Sequence, residues 1–168
     1  LDRLFGIFRQ AERGFVMLRE EPDGPLVTQV AKRRDGVNEP IRFSRTLVDK
    51  VMNDKTAVLS KNTAQDGQLP LSESIIQLRL RSIMCVPLLD RNGAPLGIIE
   101  LDVLERANEF TGDDLDVMAG VARHLAIVID NTRLHQLSLR QQQIEHEMDR
   151  LRRELALARK IQQMFLPS

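Results

Sequence analysis

Apolar residues recur at helical spacing from the first position. Leu1, Leu4, Phe5, Phe8 and Ala11 share one face and predict the end of an amphipathic helix over residues 1–12. Gly14 to Glu20 reads as a strand, and the Pro22-Asp23-Gly24-Pro25 turn leads into a second from Leu26 to Lys32. A helix follows from Ser44, whose hydroxyl suits the cap, with Phe43 and Val48 at the two positions of a hydrophobic staple. Thr56 to Ser60 predicts a short strand. The polar stretch from Lys61 to Leu71 predicts a loop, and a short helix begins at Leu71-Ser72 with Ile76 one turn in. Ser82 to Leu89 and Leu96 to Val103 predict a hairpin around Arg91-Asn92-Gly93. From Thr111 no helix breaker appears before Pro167, and about 55 helical residues reach about 80 Å.

The two hairpin strands differ in pattern. Leu96 to Val103 alternates, with Ile99, Leu101 and Val103 on one face and Ile98, Glu100 and Asp102 on the other. Ser82 to Leu89 is apolar on both faces, Ile83, Cys85 and Pro87 against Met84, Val86 and Leu88. Such a strand must be covered on both sides. Helices can cover one face, and the segment between Lys61 and Leu80 can cover the other. Loops closing over a sheet face suit a small-molecule pocket; a filled apolar layer is the alternative.

Composition narrows the function classes. With 42% hydrophobic residues, 168 residues can bury one ordinary core plus an appendage. Lys and Arg number 24 against 24 Asp and Glu, and the basic residues are not clustered. That argues against a nucleic-acid or membrane-surface partner. Apolar runs such as Ser82 to Leu89 fall far short of the ~20 residues of a spanning helix. No secretory signal is present, and a single cysteine suits a reducing compartment. The opening Leu-Asp-Arg and the stop at Pro167-Ser168 read as a piece cut from a longer cytoplasmic protein.

Arg81 to Leu88, the Asn92-Gly93 turn, Leu96-Gly97-Ile98-Ile99-Glu100-Leu101 and Phe110-Thr111-Gly112-Asp113-Asp114-Leu115 together resemble the second half of GAF domains. Glu12 to Leu18 is similar to the family's first strand. The resemblance covers residues 1 to about 135, and it implies an α+β fold. That fold has a five- to six-stranded antiparallel sheet, helices on one face and a lidded pocket on the other, with a long C-terminal helix behind it. Here the domain spans 1–133, with its N-terminal helix at 1–12. A ligand in such a pocket would meet Phe43, Asn62, Asp66, Ile76, Arg79, Cys85 and Glu100.

The ligand chemistry of the family's branches is only partly matched. Cyclic-nucleotide-binding members carry a dispersed Asn-Lys, Phe, Asp-Glu signature. Val103-Leu104 and Leu115 stand in place of Asn-Lys and Glu, and only Phe110 and Asp114 match. Those two have a structural role available: Thr111 and Asp114 form a capping box, with Phe110 and Leu115 as its staple. Cys85, mid-strand in an apolar run, reads as a buried hydrophobe and not as a bilin attachment point. One cysteine cannot form the intramolecular disulfide of methionine sulfoxide reduction. His124, His135 and His146 fall about 16 Å apart along a helix, too far to share a metal. Arg79 and Arg81 flank the expected lid and are candidates for anion contact. No nucleophile–base pair, phosphate loop or metal cluster appears, so the reading assigns no catalytic residue, metal or cofactor.

The last helix carries a heptad. With Ile144 as d, the seam runs through Leu134, Leu137, Gln141, Ile144, Met148, Leu151, Leu155, Ala158, Gln162 and Phe165. In a parallel dimer g faces e of the partner, and Arg140–Glu145, Glu147–Arg152 and Glu154–Arg159 are all opposite in sign. The expected homodimer interface comprises Leu125, Ile129, Leu134, Leu137, Ile144, Met148, Leu151 and Leu155, with 134–166 as a coiled-coil linker. Glu154 to Pro167 resembles the lead-in to bacterial metal-dependent serine/threonine phosphatases of the sporulation and stress-response type, which implies an output domain downstream. The sequence thus predicts a cytoplasmic regulatory module, sensing a small molecule or partner and signalling through a coiled coil. A constitutive dimer scaffold and a cyclic-nucleotide sensor are the alternatives.

Overall fold

A computed structural model describes residues 1–21, 24–37, 40, 42–61, 80–104 and 109–165. The elements are α1 (Asp2–Ile7), β1 (Arg13–Arg19), β2 (Leu26–Arg33), α2 (Arg45–Asp54), β3 (Val58–Lys61), β4 (Ser82–Leu89), β5 (Pro95–Val103) and α3 (Gly112–Phe165). The five strands form one sheet in the order β2-β1-β5-β4-β3, every neighbouring pair antiparallel. This is the GAF-like α+β fold, with its long C-terminal helix. The chain divides into two compact units, Leu1–Val128 and Ile129–Ser168. Among the described residues no helix is long and apolar enough to cross a membrane.

The β4–β5 hairpin turns where the sequence predicts. Asp90 Oδ1 accepts from the backbone N–H groups of Asn92 and Ala94, each at 2.8 Å, and Gly93 supplies the left-handed φ of +77°. In mid-strand, Gly97 lets β5 approach β1: a Cβ there would lie 2.1 Å from the Met17 carbonyl oxygen. Ser44 caps α2 by accepting from Leu47 N–H at 3.4 Å. Leu47, Val48, Val51 and Met52 of α2 pack on Phe15, Met17, Ile83, Cys85 and Ile98 of the sheet. Each such buried side chain contributes about 1.5–3 kcal/mol, enough to hold a ten-residue helix that would be marginal alone.

One expectation needs correction. The N-terminal helix spans Asp2–Ile7, not 1–12. Phe8 leaves helical geometry, and the Glu12 N–H bonds the Asp102 carbonyl at 2.9 Å, pulling the chain into the sheet. Phe8 and Ala11 are apolar because they are buried, not because the helix continues. On β5, Glu100 and Asp102 are both fully buried.

Candidate functional site

Register sets which side chains share the α2 side of the sheet. On the central strand β5, Glu100 lies opposite Phe15 of β1 and Cys85 of β4. Two residues on, Asp102 lies opposite Arg13. Because side chains alternate across a strand, these residues point to one face. Ile98, Cys85 and Phe15 of that face belong to the cluster under α2. Phe43, half-buried, packs against the same cluster, its ring centroid 5.5 Å from that of Phe15.

Arg13 and Asp102 form a bidentate pair, with Nε to Oδ1 and Nη2 to Oδ2 both at 2.8 Å. Burial pushes the Asp102 carboxyl up from its usual range, and the Arg13 guanidinium pulls it back. Glu100 has no comparable partner. Neither of its carboxylate oxygens accepts a hydrogen bond within normal geometry among the described residues, although the side chain is completely buried. Burial pushes this carboxyl well above the ordinary glutamate range, and the charge of Asp102 adds to the effect; Arg13 and the nearby Cys85 thiol oppose it. The Cys85 thiol is driven well above its usual range by burial first and by Glu100 second. It is a poor nucleophile.

Of the expected ligand contacts, Phe43, Cys85 and Glu100 are brought together on this face; Asn62, Asp66, Ile76 and Arg79 lie outside the described residues. Arg81 is exposed, with Nε 3.7 Å from Glu109 Oε1. His124, His135 and His146 are exposed, and no group of metal-ligating residues occurs among the described residues. The Arg13–Asp102 pair escaped sequence reasoning. Its signal was faint: an arginine opening the first strand and an acidic residue ending the polar register of β5.

A second network joins the sheet to α3. The Ser82 hydroxyl donates to the Ser60 carbonyl at 3.0 Å and accepts from the Phe110 N–H at 3.1 Å. Thr111 and Asp114 then form the predicted capping box, with Thr111 N–H to Asp114 Oδ2 at 2.7 Å and Asp114 N–H to Thr111 Oγ1 at 3.2 Å. Phe110 meets Phe8 edge to face. Within the second unit, Leu134, Leu137, Ile144, Met148, Leu151 and Leu155 are all exposed in the single chain, as are their g and e charges. Leu125 and Ile129 are half-buried. A shallow groove beside His146 and Arg150 is the surface of one helix and encloses nothing.

The GAF domain family model matches residues 1–130. No curated protein matches the chain. Among solved structures, the GAF domain of a two-component sensor histidine kinase from Bacillus halodurans is 15% identical, with a TM-score of 0.58 over 80% of this chain and 94% of that one. The blue-light absorbing form of the Thermosynechococcus elongatus PixJ GAF domain is 8% identical, with a TM-score of 0.65 over 83% and 85%. A type II free methionine-R-sulfoxide reductase from Thermoplasma acidophilum is 16% identical, with a TM-score of 0.54 over 74% and 83%. At these identities the likeness is one of fold.

Proposed function

The chain belongs to the GAF domain family, and from that premise we propose that it is a cytoplasmic regulatory module. It binds a small molecule on the α2 side of its sheet and passes the change through α3 to a downstream output domain, a protein phosphatase on the likeness of residues 154–168. The supporting observation is Glu100, a buried carboxyl whose oxygens lack hydrogen-bond partners at the centre of the sheet. A group left unsatisfied costs the fold about 1–3 kcal/mol. Sites that carry such a cost are commonly functional.

Transmission is supported by the relay from Ser60 through Ser82 to Phe110, which ties an edge strand to the start of α3. The exposed seam from Leu134 to Leu155 then pairs with a second copy in parallel, its g–e charges setting direction. Residues Val103, Leu104 and Leu115 argue against a cyclic nucleotide, and the lone cysteine against methionine sulfoxide reduction. A ligand-free dimer scaffold is the second reading, favoured by the dense apolar cluster under α2.

A thermal-shift screen of metabolites tests the sensor, since a ligand for the folded state raises the melting temperature with its concentration. A saturable shift supports it; none across a broad library favours the scaffold. Light scattering tests the pairing. Leu151→Glu with Leu155→Glu should move the mass towards monomer, because like charges would meet their own copies in the seam.

A further inference from the structure

Most buried polar side chains around Glu100 are held by partners. Arg13 and Asp102 hold each other, Ser44 caps α2, and Ser82 bridges Ser60 and Phe110. Neither oxygen of Glu100 accepts a hydrogen bond of normal geometry among the described residues, with the Cys85 thiol close by. We propose that Glu100 anchors a small cationic ligand through a protonated nitrogen donor, a primary ammonium or a guanidinium. The proposal rests on the ligand-sensing reading above and names the chemistry of its site.

Three features favour a cation. The first is geometric: two adjacent acceptor oxygens match the two-pronged bonding of a guanidinium. The neighbouring Asp102 already accepts Arg13 in that manner on the same face. The second is charge. From β1 the face presents Arg13 and, at the far end of the strand, Arg19; from β2 Arg33 opposite Arg13; from β4 Cys85; from β5 Asp102 and Glu100; and from α2 the uncharged Leu47, Val48, Val51 and Met52. Arg13 is bound to Asp102 and Arg33 to Asp35, so an ionised Glu100 has no cation bonded to it; a cationic ligand would provide one, and an anion would add to the negative charge. The third is the wall. Phe15 lies across the β1–β5 ladder from Glu100, with Phe43 packed against it, and aromatic faces attract cations.

Binding a cation stabilises ionised Glu100. Burial raises that carboxyl well above its ordinary range, so the free site keeps a proton at pH values where an exposed glutamate does not, and binding a cation there releases it. A neutral donor would not require this.

Calorimetry on the chain with benzylammonium, methylguanidinium, benzyl alcohol and benzoate, in two buffers of different ionisation enthalpy, tests the inference. At least one cation should bind saturably, release up to about one proton, and bind about tenfold or more weakly to Glu100→Gln, as loss of a charge-assisted pair requires. Should that variant fail to fold, proton release by the unaltered chain supplies the same reading. Binding of benzyl alcohol or benzoate in preference to the cations overturns the inference and leaves the sensor standing. Cation binding unchanged in Glu100→Gln also overturns it. If no probe binds, this inference falls, while the metabolite screen separately decides the sensor.

Discussion

Gln10 donates from its side-chain amide to Asp114 Oδ2 at 3.1 Å, joining the segment after α1 to the first turn of α3 across 104 residues of sequence. Asp114 Oδ2 also accepts from the Thr111 N–H and hydroxyl. One carboxylate therefore caps the long helix and tethers the N-terminal segment to it.

Asp114→Ala should accordingly lower stability by about 0.5–2 kcal/mol, the usual worth of a helix cap. Hydrogen exchange should quicken at the N–H groups of residues 111–115. Gln10→Ala removes only the tether and should cost less. Equal losses in the two variants would mean that the cap contributes nothing of its own.

Glu100 should make the fold less stable as pH rises. Its folded pKa is raised above 4.5, so the folded state holds a proton that the unfolded state releases. The penalty is absent below the unfolded value and grows as pH climbs towards the folded one. Asp102, also raised, acts in the same sense from 3.8, so the single variant is needed to isolate Glu100. Glu100→Gln should flatten the fall that sets in above the unfolded value of 4.5, and Glu100→Met should gain about 1–3 kcal/mol by removing unsatisfied acceptors. Urea unfolding across pH measures both; a parallel pH slope in Glu100→Gln would contradict the assignment.

Arg13→Ala should be far more damaging, about 3–5 kcal/mol, because it leaves Asp102 charged and unpaired in the interior. Replacing both partners, Arg13→Met with Asp102→Leu, should recover most of the loss. Denaturant midpoints for the two single variants and the double variant give the coupling directly.

Cys85 is fully buried and its thiol is held protonated. A thiol probe should label it much more slowly in the native protein than in denaturant. Native labelling as fast as denatured labelling would place the thiol in an open site.

Much of this arrangement was legible in the residues. The apolar run Ser82 to Leu89 marks β4 to the residue, and the Asn92-Gly93 turn marks its hairpin. The hydroxyl of Ser44 and the pair Thr111 and Asp114 mark helix starts because caps are local chemistry. What was hidden is tertiary. The end of α1 is set by the sheet capturing Glu12, while the apolar period runs on to Ala11. The alternation of β5 does not say what covers Glu100 and Asp102, and both are fully buried. Arg13 and Asp102 lie 89 residues apart, and only the β1–β5 register unites them.

The regulatory reading depends most on the second unit, where Leu151 stands exposed on the seam of α3. In a Cys85→Ala background, Leu151→Cys leaves one thiol per chain, and oxidation of the dimer reports where the helices run. A parallel, in-register pair brings the two copies of position 151 together, so the account predicts efficient disulfide formation between chains. A dimer proven by light scattering that fails to cross-link at this position would contradict it, because its helices would then run antiparallel or apart.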